Sequence, residues 1–235
     1  MKKNIIVSAT RKSQDNDIRE LEISKSFDRN LRHFKVWELQ IIANNTEGLS
    51  KTYNSILKNC IARGDVQWVV FVHDDVYIDD GDLDRKLNCA QLFHKFDIIG
   101  LAGCVNPSIK QHNLWHLMAD RKDLRGHVAH PTGEFLNDKR QIFVTSFGPT
   151  PSRVTLIDGL FIAVNVNSAK QANWKFNENY KFHHYDIASC IDANNLKLKI
   201  GTYPINVIHS SPGLLSMHDK SWNESNVKFI SEYAK

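Results

Sequence analysis

A chain of 235 residues is long enough for one large domain, or two closely joined lobes, with a sizeable core. Hydrophobic residues at 42%, charged residues at 24% and a formal net charge of +4 are ordinary for a globular protein and too mild to indicate nucleic-acid binding. No apolar stretch is long enough to span a bilayer, and the N-terminus turns polar too early for a secretion signal. We therefore expect no integral membrane segment.

The four cysteines give the first indication of the cellular compartment. Cys60, Cys89, Cys104 and Cys190 show no paired C-x-x-C spacing, and the first three fall in apolar or helical segments. We expect reduced, largely buried thiols without disulfides, and hence a cytoplasmic protein.

The first half of the chain alternates between apolar runs and amphipathic segments. Strands are predicted at 4–10, 35–44, 66–73 and 97–105, and helices at 17–31, 48–64 and 83–96. This alternation predicts an α/β fold with a doubly wound, mostly parallel central sheet flanked by helices. Such sheets bind ligands at the carboxyl ends of their strands.

The second half is less regular. Residues 114–141 are polar, rich in His and Gly, and weakly periodic, so they give no clear element. Residues 153–165 resemble a strand interrupted at Asp158-Gly159, residues 182–196 a helix that begins near Asp186, and residues 197–213 one or two strands that end at His209. In the tail, aromatic residues favour packing over a free end.

Polar side chains lie at the predicted strand ends and at the start of the next helix. They could bind the base and ribose of a nucleotide, or they could only cap helices and form turns. These candidates are Ser8, Thr10, Asn44, Asn45, Ser50 and Asn54.

The segment VVFVHDDV ends an apolar run on two carboxylates, Asp74 and Asp75. Neighbouring side chains of a strand point to opposite faces, so only one of the two need contact a ligand directly. Carboxylate oxygens suit Mg²⁺ or Mn²⁺, which often accompany phosphates. The alternative is a solvated acidic turn, because the segment continues as DDVYIDDGDLD.

Five short motifs occur in a fixed order: GLSKTYNSIL, VVFVHDDV, LIDGLFIAV, HHYDIASCI and VIHSSPG. Together they resemble the family-2-like glycosyltransferases of the GT-A fold, over roughly Asn4 to Gly213. The resemblance implies a single Rossmann-like GT-A domain over 1–235. It would consist of a nucleotide-binding half at about 1–105, an acceptor and catalytic half at about 106–213, and a C-terminal tail at 214–235 that packs on the domain.

The resemblance also implies a role for each motif. Asp75 and His209 would be metal ligands for Mn²⁺ or Mg²⁺, and Asp74 would contact the donor ribose, or the metal through water. From the residues alone, His209 could equally cap a strand-to-loop turn. The metal would neutralise the leaving pyrophosphate of a UDP- or GDP-sugar.

The sugar site and the catalytic base come from the later motifs. Asp158 and Gly159 would shape the sugar site, although a bulge in a strand would explain them too. Asp186 would be the general base that accepts the proton of the acceptor hydroxyl, with inversion at the anomeric centre. Its alternative role is the N-cap of a helix over 187–195. Trp115 and His184 are candidate contacts for a carbohydrate or glycoconjugate acceptor.

The leading hypothesis is thus a metal-dependent glycosyltransferase of the hexosyltransferase type. A metal-dependent phosphohydrolase is an alternative, in which His73, Asp74, Asp75 and His209 would hold the metal and its water. A nucleotide- or carbohydrate-binding module without catalysis is a third hypothesis. It would explain why no second acidic residue follows Asp186.

Overall fold

The computed structural model describes residues 2–13, 15–32, 35–107, 114–136, 139–211 and 220–233, without side chains at 16 and 134–140. In the first half, the elements are β1 Lys3–Ala9, α1 Asp15–Arg19, α2 Glu22–Ser26, β2 Trp37–Ile42, α3 Leu49–Arg63, β3 Val66–Val72, β4 Val76–Ile78, α4 Leu83–His94, β5 Ile98–Gly100 and β6 Ala102–Cys104.

The second half contributes more strands than helices. Its elements are α5 Trp115–Met118, β7 Leu124–Leu136, β8 Lys139–Gly148, β9 Ser152–Arg153, β10 Leu156–Ile157, β11 Phe161–Asn165, α6 Val166–Ala172, α7 Tyr185–Asn195, β12 Ile200–Thr202, β13 Val207–His209 and α8 Lys220–Tyr233.

A seven-stranded sheet forms the centre of the fold, in the order β2-β1-β3-β11-β5-β12-β9. Strands β2, β1, β3, β5 and β12 run in one direction, while β11 and β9 are antiparallel to their neighbours. The sheet is therefore mostly parallel and, with helices packed on it, confirms the predicted α/β architecture. Strand β3 is buried along nearly its whole length, which explains its continuous apolar run.

A second sheet, in the order β10-β6-β7-β13-β4 with β8 paired to β7, lies beyond the carboxyl ends of the central strands. The single strand predicted over 97–105 is wrong, because β5 belongs to the central sheet and β6 to the second one. Gly100 lies at this change of sheet, where a Cβ would come within 2.7 Å of the Ile157 side chain. The weakly periodic residues 114–141 contain β7 and the start of β8, which the sequence pattern did not predict.

One further segment differs from the simple prediction. The helix expected over 17–31 is broken into α1, α2 and a π-helical turn at Phe27–Leu31. At the other end, α8 buries Phe229 and packs its ring against Tyr180, whose hydroxyl donates to Glu232.

All four cysteines are free thiols, in agreement with the expected absence of disulfides. Within the described ranges, no helix is both long and apolar enough to cross a membrane.

Candidate active site

Three side chains from distant parts of the sequence converge at the carboxyl end of β3. His73, Asp75 and His209 can each direct one ligand atom into a cluster in which these atoms lie within 4.8 Å of one another. His73 and Asp75 lie in the turn between β3 and β4, and His209 ends β13. Because β13 pairs antiparallel with β4, with His209 opposite Val76, the sheet register brings the second histidine to this turn.

The charges in this cluster support one another. Burial alone would raise the pKa of Asp75, but the nearby imidazoles, His209 above all, outweigh burial and lower that pKa. Burial has the opposite effect on His209 and lowers its pKa, but the carboxylate of Asp75 outweighs burial, so the pKa of His209 is raised overall. The pKa of His73 is lowered by burial, which favours the neutral imidazole that a metal ion requires.

The donor set fits a divalent cation. Oδ1 of Asp75 is buried and forms no hydrogen bond with any residue that the structure describes, and its 3.4 Å separation from Nε2 of His209 is an ion-pair distance. A buried carboxylate oxygen without a partner is costly unless a ligand satisfies it. Two imidazoles and a carboxylate are a common set of transition-metal ligands.

A half-buried carboxylate lies near this cluster. Asp186 is the second residue of α7, and its Oδ2 accepts a hydrogen bond from the backbone amide of Gly159 at 2.8 Å. Desolvation, with the charge of Asp158 as the second cause, raises the pKa of Asp186 to about 7. The N-cap position of the helix belongs to His184, so the capping alternative for Asp186 is not observed.

The turn at Asp158-Gly159 is fixed between β10 and β11. Oδ1 of Asp158 accepts from the amide of Leu160 at 2.9 Å, and the carbonyl of Gly159 accepts from the Tyr185 hydroxyl at 2.8 Å. The same hydroxyl lies 3.3 Å from Nε2 of His73. Tyr185 therefore connects the turn that holds the Asp186 carboxylate to the cluster of His73, Asp75 and His209.

Two of the predicted donor-binding residues have side chains that are engaged within the protein. Ser50 donates to the carbonyl of Tyr180 at 2.6 Å, and the Asn54 side chain bonds to both backbone groups of Phe176. Ser50 and Asn54 thus attach α3 to the 176–180 segment. Ser8 is fully buried, and its hydroxyl has no hydrogen-bond partner among the described residues.

The remaining strand-end candidates divide between turn chemistry and exposure. Thr10 is buried and its Oγ1 accepts from the amide of Lys12, while Oδ1 of Asn45 accepts from Glu47 and Thr52. Asn44 is exposed and has a φ of 54°. Of these three, Asn44 is the side chain most open to a ligand.

The two predicted acceptor contacts are also in the interior. Trp115 is 3% exposed and packs against Phe147, and His184 is 6% exposed beneath α8, where its Nδ1 lies 2.8 Å from the Ser225 hydroxyl. The Trp115 ring has no open face for a sugar. The packing of α8 explains why His184, next to the catalytic motif in sequence, points away from solvent.

Two functional candidates were missed or placed in the wrong hypothesis. His73 entered only the phosphohydrolase alternative, although its position beside Asp75 was a signal that it could join the same cluster. Tyr185 received no role, because its contacts with His73 and Gly159 join residues 112 and 26 positions apart in the chain.

Comparison with known proteins gives a family and a fold. The model of a glycosyltransferase-like family matches residues 18–233. No curated protein sequence matches the chain significantly. Among solved structures, the catalytic domain of Drosophila β1,4-galactosyltransferase 7 in complex with xylobiose aligns with a TM-score of 0.51 at 11% identity, covering 94% of this chain and 74% of that one.

Two other solved structures align less closely. S. aureus TarS residues 1–349 align with a TM-score of 0.49 at 13% identity, covering 97% of this chain and 72% of that one. A197 from STIV aligns with a TM-score of 0.45 at 12% identity, covering 89% and 82%. At such identities the likeness concerns the fold, and the argument for the fold depends on the galactosyltransferase domain.

Proposed function

The chain belongs to the glycosyltransferase-like family, and on that premise we propose that it transfers a sugar from a nucleoside-diphosphate sugar to an acceptor hydroxyl, with a divalent metal and with inversion. A hexose is the proposed sugar and UDP or GDP the proposed nucleotide. A carbohydrate or glycoconjugate is the proposed acceptor.

The observation that carries this proposal is the environment of Asp186. Its carboxylate is held by the Gly159 amide and has a pKa raised to about 7. A general base works best when its pKa is near the operating pH, and it contributes about 10²–10⁴-fold to the rate. In the proposed reaction, Asp186 accepts the proton of the acceptor hydroxyl while that oxygen attacks the anomeric carbon. A single displacement of this kind inverts the configuration.

His73, Asp75 and His209 are the proposed metal ligands, since their ligand atoms lie within 4.8 Å of one another. When bound, the metal would act as a Lewis acid that stabilises the charge of the leaving diphosphate. The two imidazoles favour Mn²⁺ over Mg²⁺, because Mg²⁺ prefers carboxylates and water.

The turn at Asp158-Gly159 is proposed to bind the donor sugar. The amide of Gly159 is occupied by Asp186, so the carboxylate of Asp158 is the group left to accept sugar hydroxyls. Asp74 lies between His73 and Asp75 in the sequence and is proposed to contact the ribose. Asn44, which is exposed, is proposed to contact the base. Because each turn is anchored to a strand end, these contacts are positioned before the donor binds.

Both alternative hypotheses lose support. Membership of a glycosyltransferase family favours transfer over phosphoester hydrolysis, even though three of the four residues named for the hydrolase, His73, Asp75 and His209, lie in one cluster. A raised pKa at a half-buried carboxylate near the proposed metal ligands favours catalysis over a binding module that lost it.

The first test is calorimetric titration of the protein with UDP, GDP, CDP and dTDP, each with and without Mn²⁺. We expect micromolar binding of one nucleotide that disappears without the metal and in Asp75→Ala. Asp79→Ala is the matched control, because Asp79 is exposed just after β4 and is expected to leave binding unchanged. Absence of binding to all four nucleotides would contradict the proposal.

The second test separates binding from turnover. Asp186→Asn should bind the nucleotide as the parent protein does and lose transfer by about 10²-fold or more. Near-normal transfer in this variant would exclude Asp186 as the base.

A further inference from the structure

The hairpin of β7 and β8 brings an aromatic pair against the metal cluster. His130 and Phe143 are directly opposite in the strand register, and their rings stack with centroids 5.2 Å apart at an angle of 29°. Nδ1 of His130 lies 3.2 Å from the carbonyl oxygen of His209, and the two histidine rings are 5.8 Å apart. Because a carbonyl oxygen can only accept, His130 donates through Nδ1, and this bond fixes the orientation of its ring.

One face of the Phe143 ring is covered and the other is open. His130 covers the first face, yet Phe143 remains 51% exposed. An exposed apolar residue on its own needs no explanation, but this ring stacks on a histidine that bonds to the His209 backbone, so its open face is held near the proposed metal ligands. Trp115, a candidate acceptor contact from the sequence, is closed to ligands at 3% exposure.

The apolar C–H face of a pyranose is the ligand surface that suits an open aromatic ring. Aromatic rings supply a large, rigid apolar area, and few side chains bind with so small a loss of conformational freedom. The ring of Phe143 contacts the ring of His130, and His130 in turn contacts the ring of His209, a proposed metal ligand. A sugar stacked on Phe143 would therefore be next to the metal cluster, and would be separate from the diphosphate that the metal holds.

We propose that Phe143, supported by His130, is the stacking surface for a sugar unit of the acceptor. This inference rests on the proposed function and adds the acceptor class, a glycan that presents a pyranose ring. His130 is a positioning residue, since it acts by holding the Phe143 ring.

The opposite face of the same hairpin supplies the controls. Ile142 and Val144 are 48% and 57% exposed, but they alternate with Phe143 and so point away from His130. Val144→Ala removes a comparable exposed apolar group from the same strand without touching the aromatic pair.

The experiment measures binding to an array of immobilised mono- and oligosaccharides, with Mn²⁺ and the nucleotide selected by calorimetry present. For the glycan that the parent protein binds best, Phe143→Ala should lose about tenfold in affinity, while Phe143→Tyr and Val144→Ala stay within about threefold. Nucleotide titration of each variant checks that the donor site and the fold are intact.

The remaining outcomes separate the two proposals. Equal losses in Phe143→Ala and Val144→Ala, or no loss in Phe143→Ala, would overturn the stacking surface. So would a change from dimer to monomer in Phe143→Ala, measured by light scattering, because the ring would then be an interface between copies. A parent protein that binds nucleotide but none of the glycans also overturns it and leaves the proposed function standing. A parent protein that binds no nucleotide overturns the proposed function itself.

Discussion

The hydroxyl of Tyr185 lies 3.3 Å from Nε2 of His73, and this contact joins the start of α7 to the end of β3. The hydroxyl donates its own hydrogen to the Gly159 carbonyl, so its oxygen must accept from His73. Nε2 of His73 therefore carries the hydrogen, and the lone pair of Nδ1 remains for a metal. Outer contacts of this kind set the tautomer and orientation of a ligating histidine.

Tyr185→Phe should weaken metal binding because it removes the group that selects this tautomer. We expect the Mn²⁺ affinity, measured by calorimetry, to fall by about 10–100-fold. Tyr53→Phe is the matched control, since Tyr53 is equally buried and its hydroxyl has no hydrogen-bond partner among the described residues. Equal Mn²⁺ affinities in the two variants would remove the tautomer-fixing role of Tyr185.

Gly159→Ala should impair catalysis by displacing the groups that hold the base. A Cβ at Gly159 would lie 2.7 Å from the Tyr185 hydroxyl and 3.1 Å from Oδ2 of Asp186. Misplacement of a catalytic group by about 1 Å can cost about 10²-fold, which is the decrease in kcat that we expect from initial rates of nucleotide release. Gly81→Ala, where a Cβ would meet nothing within 4 Å, should keep the parent rate. A fully active Gly159→Ala would mean that the turn tolerates movement.

The pH dependence of kcat should report the ionisation of Asp186. The base is active when deprotonated, so the rate should rise with pH through about 7 and then level off. Asp158→Asn removes the neighbouring negative charge that contributes to the raised pKa, and the rising limb should move to lower pH. Burial is the larger cause and is retained, so the limb should stay above the ordinary aspartate value of 3.8.

A carboxylate elsewhere on α7 provides the control for this profile. Asp192 lies on the same helix, and its carboxylate accepts a hydrogen bond from the side chain of Asn177. This bond does not involve the turn at Asp158. Asp192→Asn should keep the parent pH profile. A limb that does not move in Asp158→Asn would show that the two carboxylates are not coupled.

Acid should loosen the packing of α8 through His184. Burial, aided by the charge of His183, lowers the pKa of His184 from 6.5 to about 4. Between these two pKa values the unfolded chain binds a proton at His184 that the folded chain does not bind. The contribution of neutral His184 to stability is therefore complete above pH 6.5 and is lost as the pH falls to about 4. Asparagine tolerates the positive φ of 62° at this position. The Tm of His184→Asn should fall less than the Tm of the parent protein between pH 7 and pH 4.5.

Thermal denaturation of three proteins tests this prediction. His94→Asn changes an exposed histidine at the end of α4 and should follow the parent curve. If His184→Asn loses as much Tm as the parent on acidification, another group is responsible for the acid sensitivity.

The sequence predicted the elements that are marked by a local pattern of apolar residues. The buried run of β3 and the apolar stripe of α3 were found within one or two residues of their observed bounds. The hairpin of β7 and β8 was missed because the buried side of β7 combines Gly126 with Leu124 and Val128, and because β8 has exposed residues on both faces, so no clear alternation of apolar and polar residues marks the two strands. Its existence depends on pairing with β6 and β13, which a local pattern does not contain.

The sequence motifs indicated which ionisable residues the fold brings together. Asp75 and His209 fall in one cluster, and Asp186 bonds to the Asp158-Gly159 turn. The sequence could not show that the side chains of Ser50 and Asn54 bond to backbone, because hydroxyl and amide groups satisfy backbone as readily as ligands, and only the fold decides between the two.

The antiparallel strand β11 has a consequence for synthesis of the chain. It lies between β3 and β5, with Phe161 opposite Val72, so residues almost ninety positions apart are neighbours. A nascent chain that ends before residue 160 leaves these two apolar strands without their shared partner and exposes sheet edges that favour aggregation. The first 105 residues therefore lack the strand that joins β3 to β5, and the cluster of His73, Asp75 and His209 is complete only once residue 209 has been synthesised.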